Sequence, residues 1–94
     1  VDDMVDTAGT ITKAANLMLE NGAKSVRAIA SHAVMSDPAS TRVDQSALSE
    51  MIFTDSIPYS KKCDKVKILS VADMFAEAIR RVCSGESISS LYVI

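Results

Sequence analysis

An α/β fold with a mostly parallel sheet and flanking helices is predicted by three features of this 94-residue sequence. Short apolar runs suited to strands alternate with segments whose apolar residues recur at helical spacing. The runs are nearly continuous, the mark of strands covered on both faces. Turn residues punctuate the changes, at Asn21-Gly22, in "SDPAS" and at Gly85.

The elements follow in order. Val1 to Asp3 reads as the end of a buried strand, and "DTAGT" as the turn that leaves it. Ile11, Ala14, Ala15 and Met18 then share one helical face, with Lys13, Asn16 and Glu20 opposite, until Asn21-Gly22 stops the helix. "KSVRAIAS" (24–31) reads as a strand, because Val26, Ala28, Ile29 and Ala30 make an almost unbroken apolar run. "SDPAS" turns into a short helix over 41–49, and "MIFT" (51–54) is the next strand. "SIPYSKKCD" is a polar surface loop before the strand "KVKIL" (65–69).

The last helix has the clearest pattern. Val71, Met74, Phe75, Ala78 and Val82 form its stripe, Ser70 and Asp73 a capping box, and Gly85 its end. Arg80 and Arg81 sit where the helix dipole favours positive charge. Strands alternating with helices imply right-handed crossovers in one parallel sheet, and no internal repeat is visible.

Composition narrows the function. The length allows one domain, and a chain this short buries about two thirds of its unfolded surface. Formal charge is −2 and the pI about 5.2, with basic residues scattered, which does not support a nucleic-acid partner. Neither a secretory signal nor a membrane helix is present in the pattern, so the chain reads as a cytoplasmic protein cut from something longer. Cys63 and Cys83 have no CxxC spacing and are expected to be reduced and unpaired. The single histidine, His32, reads as a structural or polar-lining residue.

The chemistry concentrates at the start. In open α/β sheets ligands sit beyond the carboxyl ends of strands, where a loop hands over to a helix. Asp6, Thr7, Ala8, Gly9 and Thr10 occupy that place, and their N–H groups can converge on one anion at the positive end of the helix. Gly9 allows close backbone approach, and the Thr7 and Thr10 hydroxyls add donors. Asp2 and Asp3 lie just upstream, where adjacent carboxylates can accept hydrogen bonds from a diol such as that of ribose. A phosphate at one end and a diol at the other describe a sugar phosphate. The plain alternative is a helix entry capped by Asp6 or Thr7. Asp6 itself would repel a phosphate unless its carboxylate turns onto the loop's own N–H groups or a water, and the turned arrangement is expected. The lysine of a Walker-type loop and the GxGxxG fingerprint are both missing, which argues against an ordinary nucleoside-triphosphate or dinucleotide site.

"VDDMVDTAGT" resembles the phosphoribosyl-diphosphate (PRPP)-binding motif of type I phosphoribosyltransferases and ribose-phosphate diphosphokinases. "SHAVMSDPAS", "FTDSIPYSKK", "VADMFAEAIRR" and "GESISSLY" together resemble the carboxyl-terminal half of the diphosphokinases, across essentially the whole chain. The resemblance implies a phosphoribosyltransferase-type (type I) fold. Residues 1–94 would form a carboxyl-terminal phosphoribosyltransferase-like domain, incomplete because its amino-terminal strands are missing. It implies that Asp2 and Asp3 hold the ribose hydroxyls and that Asp6, Thr7, Ala8, Gly9 and Thr10 hold the 5-phosphate. The implied reaction moves the diphosphoryl group of Mg-ATP to the 1-hydroxyl of ribose 5-phosphate, giving PRPP and AMP in nucleotide biosynthesis.

The same resemblance implies a homo-oligomer, in this family a hexamer, and an effector site for inorganic phosphate or ADP lined by Ser87, Ile88, Ser89 and Tyr92. Read without it, "ESISSLYVI" is an amphipathic tail packing on a neighbour. Mg²⁺ is the implied cofactor, arriving with ATP. Asp2 and Asp3 can approach it through the ribose hydroxyls, but two adjacent acids are not a metal site by themselves, and its ligands stay unassigned. The family's ATP-binding residues, diphosphate loop and catalytic Lys and Arg would lie upstream of Val1. No catalytic residue is therefore expected within this segment, which alone is predicted to be inactive.

One departure is visible. Asp37 stands where the family usually has Gly, so a special backbone angle is expected to be lost there and a negative charge added. Two other readings remain open: a type I phosphoribosyltransferase that consumes PRPP, and a non-catalytic regulatory paralogue.

Overall fold

The computed structural model describes residues 1–91 of the chain. Four strands form one sheet: β1 (Asp2–Val5), β2 (Val26–Ala33), β3 (Leu48–Thr54) and β4 (Val66–Leu69). They lie in the order β1-β2-β3-β4 and every neighbouring pair is parallel. The α/β fold with a parallel sheet is therefore as the sequence predicts. Helix α1 (Gly9–Glu20) joins β1 to β2, α2 (Ala39–Asp44) joins β2 to β3, and α3 (Ala72–Ser84) follows β4, with a 3₁₀ turn over Ser89–Leu91.

The strand order decides which face of the sheet is covered. Strands that advance in one direction with right-handed crossovers send every connection over the same face. Here α1 packs on β2, β3 and α2, while Tyr59 and Cys63 from the β3–β4 connection pack against the same core. Ala28 and Ala30 face that core from β2, opposite Met51 and Phe53 of β3 in register. Small residues beneath α1 let Ala15 come down to 1% exposure, and the large side chains of β3 fill the space beside them.

The expectation of strands covered on both faces is corrected by this arrangement. Ile29, between the buried Ala28 and Ala30, is 49% exposed, and Ile52 beside it is only half-buried. Among the described residues no helix packs on the second face, so the apolar run of β2 reflects an open side as well as a core side. The opening strand differs in the same sense. It spans Asp2–Val5, and only Val5 is buried, because β1 is an edge strand.

Several boundaries shift for identifiable reasons. β2 continues to Ala33, past the expected Ser31, because Met4 and Val5 offer it pairing partners at His32 and Ala33. The short helix covers Ala39–Asp44 instead of 41–49. The Ser46 hydroxyl donates to the Val43 carbonyl at 2.7 Å and accepts the Leu48 N–H at 3.2 Å, which turns the chain so that Leu48 enters the sheet fully buried. On α1, Met18 is 54% exposed, contrary to its place in the expected stripe. It borders an open depression with Val1 and Asp2, where the sheet ends.

Helix α3 departs most from expectation. Its stripe exists, yet none of its residues is buried, and Met74, Phe75 and Val82 are each about half exposed or more. The radius of gyration, 15.9 Å, exceeds the roughly 12 Å of a compact domain this long, as expected when one helix stands off the sheet. The capping box does not form. Val71 takes the N-cap position without a side-chain cap, the Ser70 hydroxyl accepts the Ala72 N–H at 3.2 Å, and Asp55 accepts the Val71 N–H. Gly85 ends the helix with φ 77°, and the Glu86 N–H returns to the Arg81 carbonyl at 2.8 Å. Both cysteines are free, Cys63 half-buried and Cys83 exposed.

Candidate functional site

At the carboxyl end of β1 the chain leaves Val5 and enters α1 through Asp6, Thr7 and Ala8. Ala8 occupies the helix N-cap in the left-handed region, at φ 63° and ψ 10°, and no side chain caps the helix. Such a conformation costs an alanine about 1–2 kcal/mol. Strain of this kind gathers where ligands bind. The first N–H groups of α1, orphaned by helix geometry, are left without an intramolecular side-chain acceptor. They open on a cavity of about 240 Å³ whose lining includes Asp2 and all of Asp6, Thr7, Ala8, Gly9 and Thr10.

The plain alternative, a helix entry capped by Asp6 or Thr7, is thus not what forms. Asp6 is exposed, and among the described residues its carboxylate accepts no hydrogen bond from the loop's N–H groups, so the turn onto those groups does not form. The loop is held from within α1 instead: Thr12 donates its hydroxyl to the Ala8 carbonyl at 2.7 Å, beside its own backbone N–H at 3.2 Å.

The two acids divide. Neighbouring residues of a strand project to opposite faces, and Asp2 lines the cavity whereas Asp3 does not. Both carboxylates engage the edge backbone, Asp2 Oδ1 accepting the Asp3 N–H and Asp3 Oδ1 the Met4 N–H, each at 2.8 Å. Each keeps a second oxygen for another donor.

Arg42 was not singled out from the sequence. Its Nη1 donates to the Thr7 carbonyl at 3.1 Å from 35 residues away along the chain. A methyl group at Gly9 would come within 3.3 Å of the same nitrogen. Glycine at this position therefore makes room for a guanidinium, in addition to the close ligand approach expected of it. No local signal in the sequence could pair Arg42 with this loop.

The other carboxyl-end loops lie alongside. The Met35 N–H donates to the Val5 carbonyl at 3.0 Å, and Met35, not Asp37, carries the positive φ of this loop, 48°. Asp37 itself carries no positive φ. Lys61 Nζ donates to the Met35 carbonyl at 2.8 Å and to Asp37 Oδ1 at 2.6 Å, and its ammonium holds the Asp37 carboxyl below the usual range. The charge that Asp37 adds is thus met by a cation. His32 is exposed at the end of β2, its Nδ1 2.7 Å from the Ser56 hydroxyl, which suits a polar-lining residue.

Ser87, Ile88 and Ser89 do not line this cavity. They follow α3, and Arg81 Nη1 donates to the Ser87 carbonyl at 3.4 Å and to the Ser90 hydroxyl at 2.5 Å. Tyr92, the fourth expected member, lies outside the described residues. Among the described residues no group of three or more His, Cys, Asp or Glu side chains could hold a metal ion.

The family model described as the phosphoribosyl synthetase-associated domain matches residues 1–93. The chain belongs to this family. This phosphoribosyl synthetase-associated domain is 83% identical over 92 residues to a ribose-phosphate pyrophosphokinase of Porphyromonas gingivalis, covering 98% of the chain and 29% of that relative. It is 55% identical over 92 residues to the ribose-phosphate pyrophosphokinase of Helicobacter pylori strain J99, with the same shares. Its fold is similar to the crystal structure of a phosphoribosylpyrophosphate synthetase from Mycobacterium smegmatis, at TM-score 0.87 and 41% identity over 89% of this chain and 29% of that one. The domain thus spans less than a third of the length of these relatives.

Proposed function

We propose that the loop Asp6 to Thr10 receives the phosphate of ribose 5-phosphate, with Asp2 toward the ribose hydroxyls from the cavity lining and Asp3 reaching them from the adjoining strand edge. The observation that carries this reading is the uncapped entry of α1, with Ala8 held at φ 63° over an open cavity. Backbone N–H groups fixed before binding give an anion directed hydrogen bonds with little reorganisation. The names of the relatives supply the substrate class.

At the length of those relatives, the protein would be a ribose-phosphate diphosphokinase. The 1-hydroxyl oxygen of ribose 5-phosphate attacks the β-phosphorus of ATP, the bond from that phosphorus to the α,β-bridging oxygen breaks, the hydroxyl proton is lost, and AMP departs. In such transfers the protein mainly positions reactants. This chain's share is to hold the acceptor by its phosphate. Mg²⁺ enters as part of the Mg-ATP substrate, and the donor set described above builds no metal site of its own, so no step is routed through it.

Further parts belong to the same proposal: a carboxyl-terminal place for this segment in an incomplete domain, a cytoplasmic homohexamer, and a phosphate or ADP effector site at Ser87, Ile88, Ser89 and Tyr92. The first is supported by the family motifs along the whole chain, the last by the Arg81 guanidinium, which reaches the Ser87 carbonyl and the neighbouring Ser90 hydroxyl. No helix among the described residues is long and apolar enough to cross a membrane.

The test is titration of ribose 5-phosphate into the protein produced at the length of its relatives, followed by AMP release with ATP. Saturable binding and AMP formation are expected. Diphosphate release from PRPP and a nucleobase, without ATP, would instead make it a phosphoribosyltransferase. Binding without turnover would make it a regulatory paralogue.

A further inference from the structure

We propose that Arg42 is the positioning residue of the phosphate loop, orienting its donors from behind without touching the ligand. The inference rests on the reading of the loop as a ribose 5-phosphate cradle. Arg42 is carried on α2, which is anchored in the core by the fully buried Ala39 and Val43. From that rigid base Nη1 reaches the Thr7 carbonyl. A trans peptide sets its carbonyl and the following N–H in opposite directions. Pinning the Thr7 carbonyl toward α2 therefore turns the Ala8 N–H away from it. Arg42 borders the groove between α1 and α2 with Lys13 and Asn16 and is not part of the cavity lining on the other side of the loop.

Two further features tie the loop to this side chain. Ala8 sits in the left-handed region, which alanine does not favour, so something must hold the peptide before it. Gly9 leaves the space that Nη1 occupies, since a Cβ would meet it at 3.3 Å, closer than such contacts usually come. A charged donor on a neutral carbonyl is among the stronger hydrogen bonds. Its service is orientation, and losing it frees the peptide plane to rotate its N–H out of the cavity.

The experiment titrates ribose 5-phosphate calorimetrically into the protein at the length of its relatives, as wild type, Arg42→Ala, Arg42→Lys, Gly9→Ala and the Gly9→Ala/Arg42→Ala double variant. Thermal melting runs beside each titration. Loss of the charged hydrogen bond is expected to weaken binding about tenfold in Arg42→Ala with the melting temperature little changed, and Arg42→Lys to recover part of that loss. Gly9→Ala crowds the guanidinium and makes it give way, so it is expected to weaken binding in the wild type and to add little once Arg42 is gone. Equal loss from Gly9→Ala in both backgrounds would mean that the methyl blocks the ligand itself, and would overturn the proposal. So would wild-type affinity in Arg42→Ala. A wild type that does not bind ribose 5-phosphate would overturn the reading of the site and this inference with it, which separates the two failures.

Discussion

The Asp55 carboxylate accepts the backbone N–H of Val71 at 2.9 Å, tying the end of β3 to the start of α3. This bond, with one from Ser70, holds the Asp55 carboxyl below its usual range. Since α3 buries no side chain, its attachment to the sheet depends on such polar links. Asp55→Ala is expected to speed amide exchange at Val71 and Ala72 several-fold, with the sheet amides unchanged, because an uncapped N–H opens readily. Unchanged protection at Val71 would show that the Asp55 carboxylate does not hold the start of α3.

Acid should loosen α3 from its other end. Glu77 accepts from Arg80 at 2.8 and 3.1 Å and from Arg81 at 2.8 Å, and these bonds lower its carboxyl from an ordinary 4.5 to about 2. A depressed carboxylate stabilises the folded helix above its unfolded pKa, and that contribution fades as pH falls through the folded one. The helical circular-dichroism signal is therefore expected to hold from pH 7 to about 4.5 and to decline from there to about 2. In Glu77→Gln the decline should shrink to what Glu86, also lowered by Ser84 and Arg80, contributes. An equally steep decline in the variant would refute the assignment.

One-sided coverage of the sheet makes a sharp contrast between two neighbouring strands. Phe53→Ala, in the core at 1% exposure, should cost about 3–5 kcal/mol in denaturant unfolding. Ile29→Ala, on the bare face at 49% exposure, should cost about 1 kcal/mol or less, in keeping with surface substitutions. Similar losses at both positions would mean that the second face is covered in solution.

Lys61 is the clamp of the β2–α2 turn, bonded to the Met35 carbonyl and to Asp37. Lys61→Met retains the aliphatic stem and removes the donor. Limited proteolysis is expected to cut the turn around residues 35–38 several-fold faster in that variant, since the left-handed Met35 loses its tie. Equal cleavage rates would show the turn to be held by the Met35–Val5 hydrogen bond alone.

The sequence by itself determined the alternation of strands and helices, the parallel sheet, the stop at Asn21-Gly22, the left-handed end at Gly85 and the place of the loop after β1. These depend on neighbours a few residues apart, where apolar spacing and turn chemistry act directly. Only the tertiary structure decided that one face of the sheet is left uncovered among the described residues, because coverage follows from the direction in which successive crossovers advance. It also replaced the capping box of Ser70 and Asp73 with Asp55, put a left-handed backbone angle at Met35, and brought Arg42 behind Gly9. Each of these joins groups distant in the chain, and their meeting depends on how α2 and the β3–β4 connection return across the sheet, a geometry that no local pattern encodes.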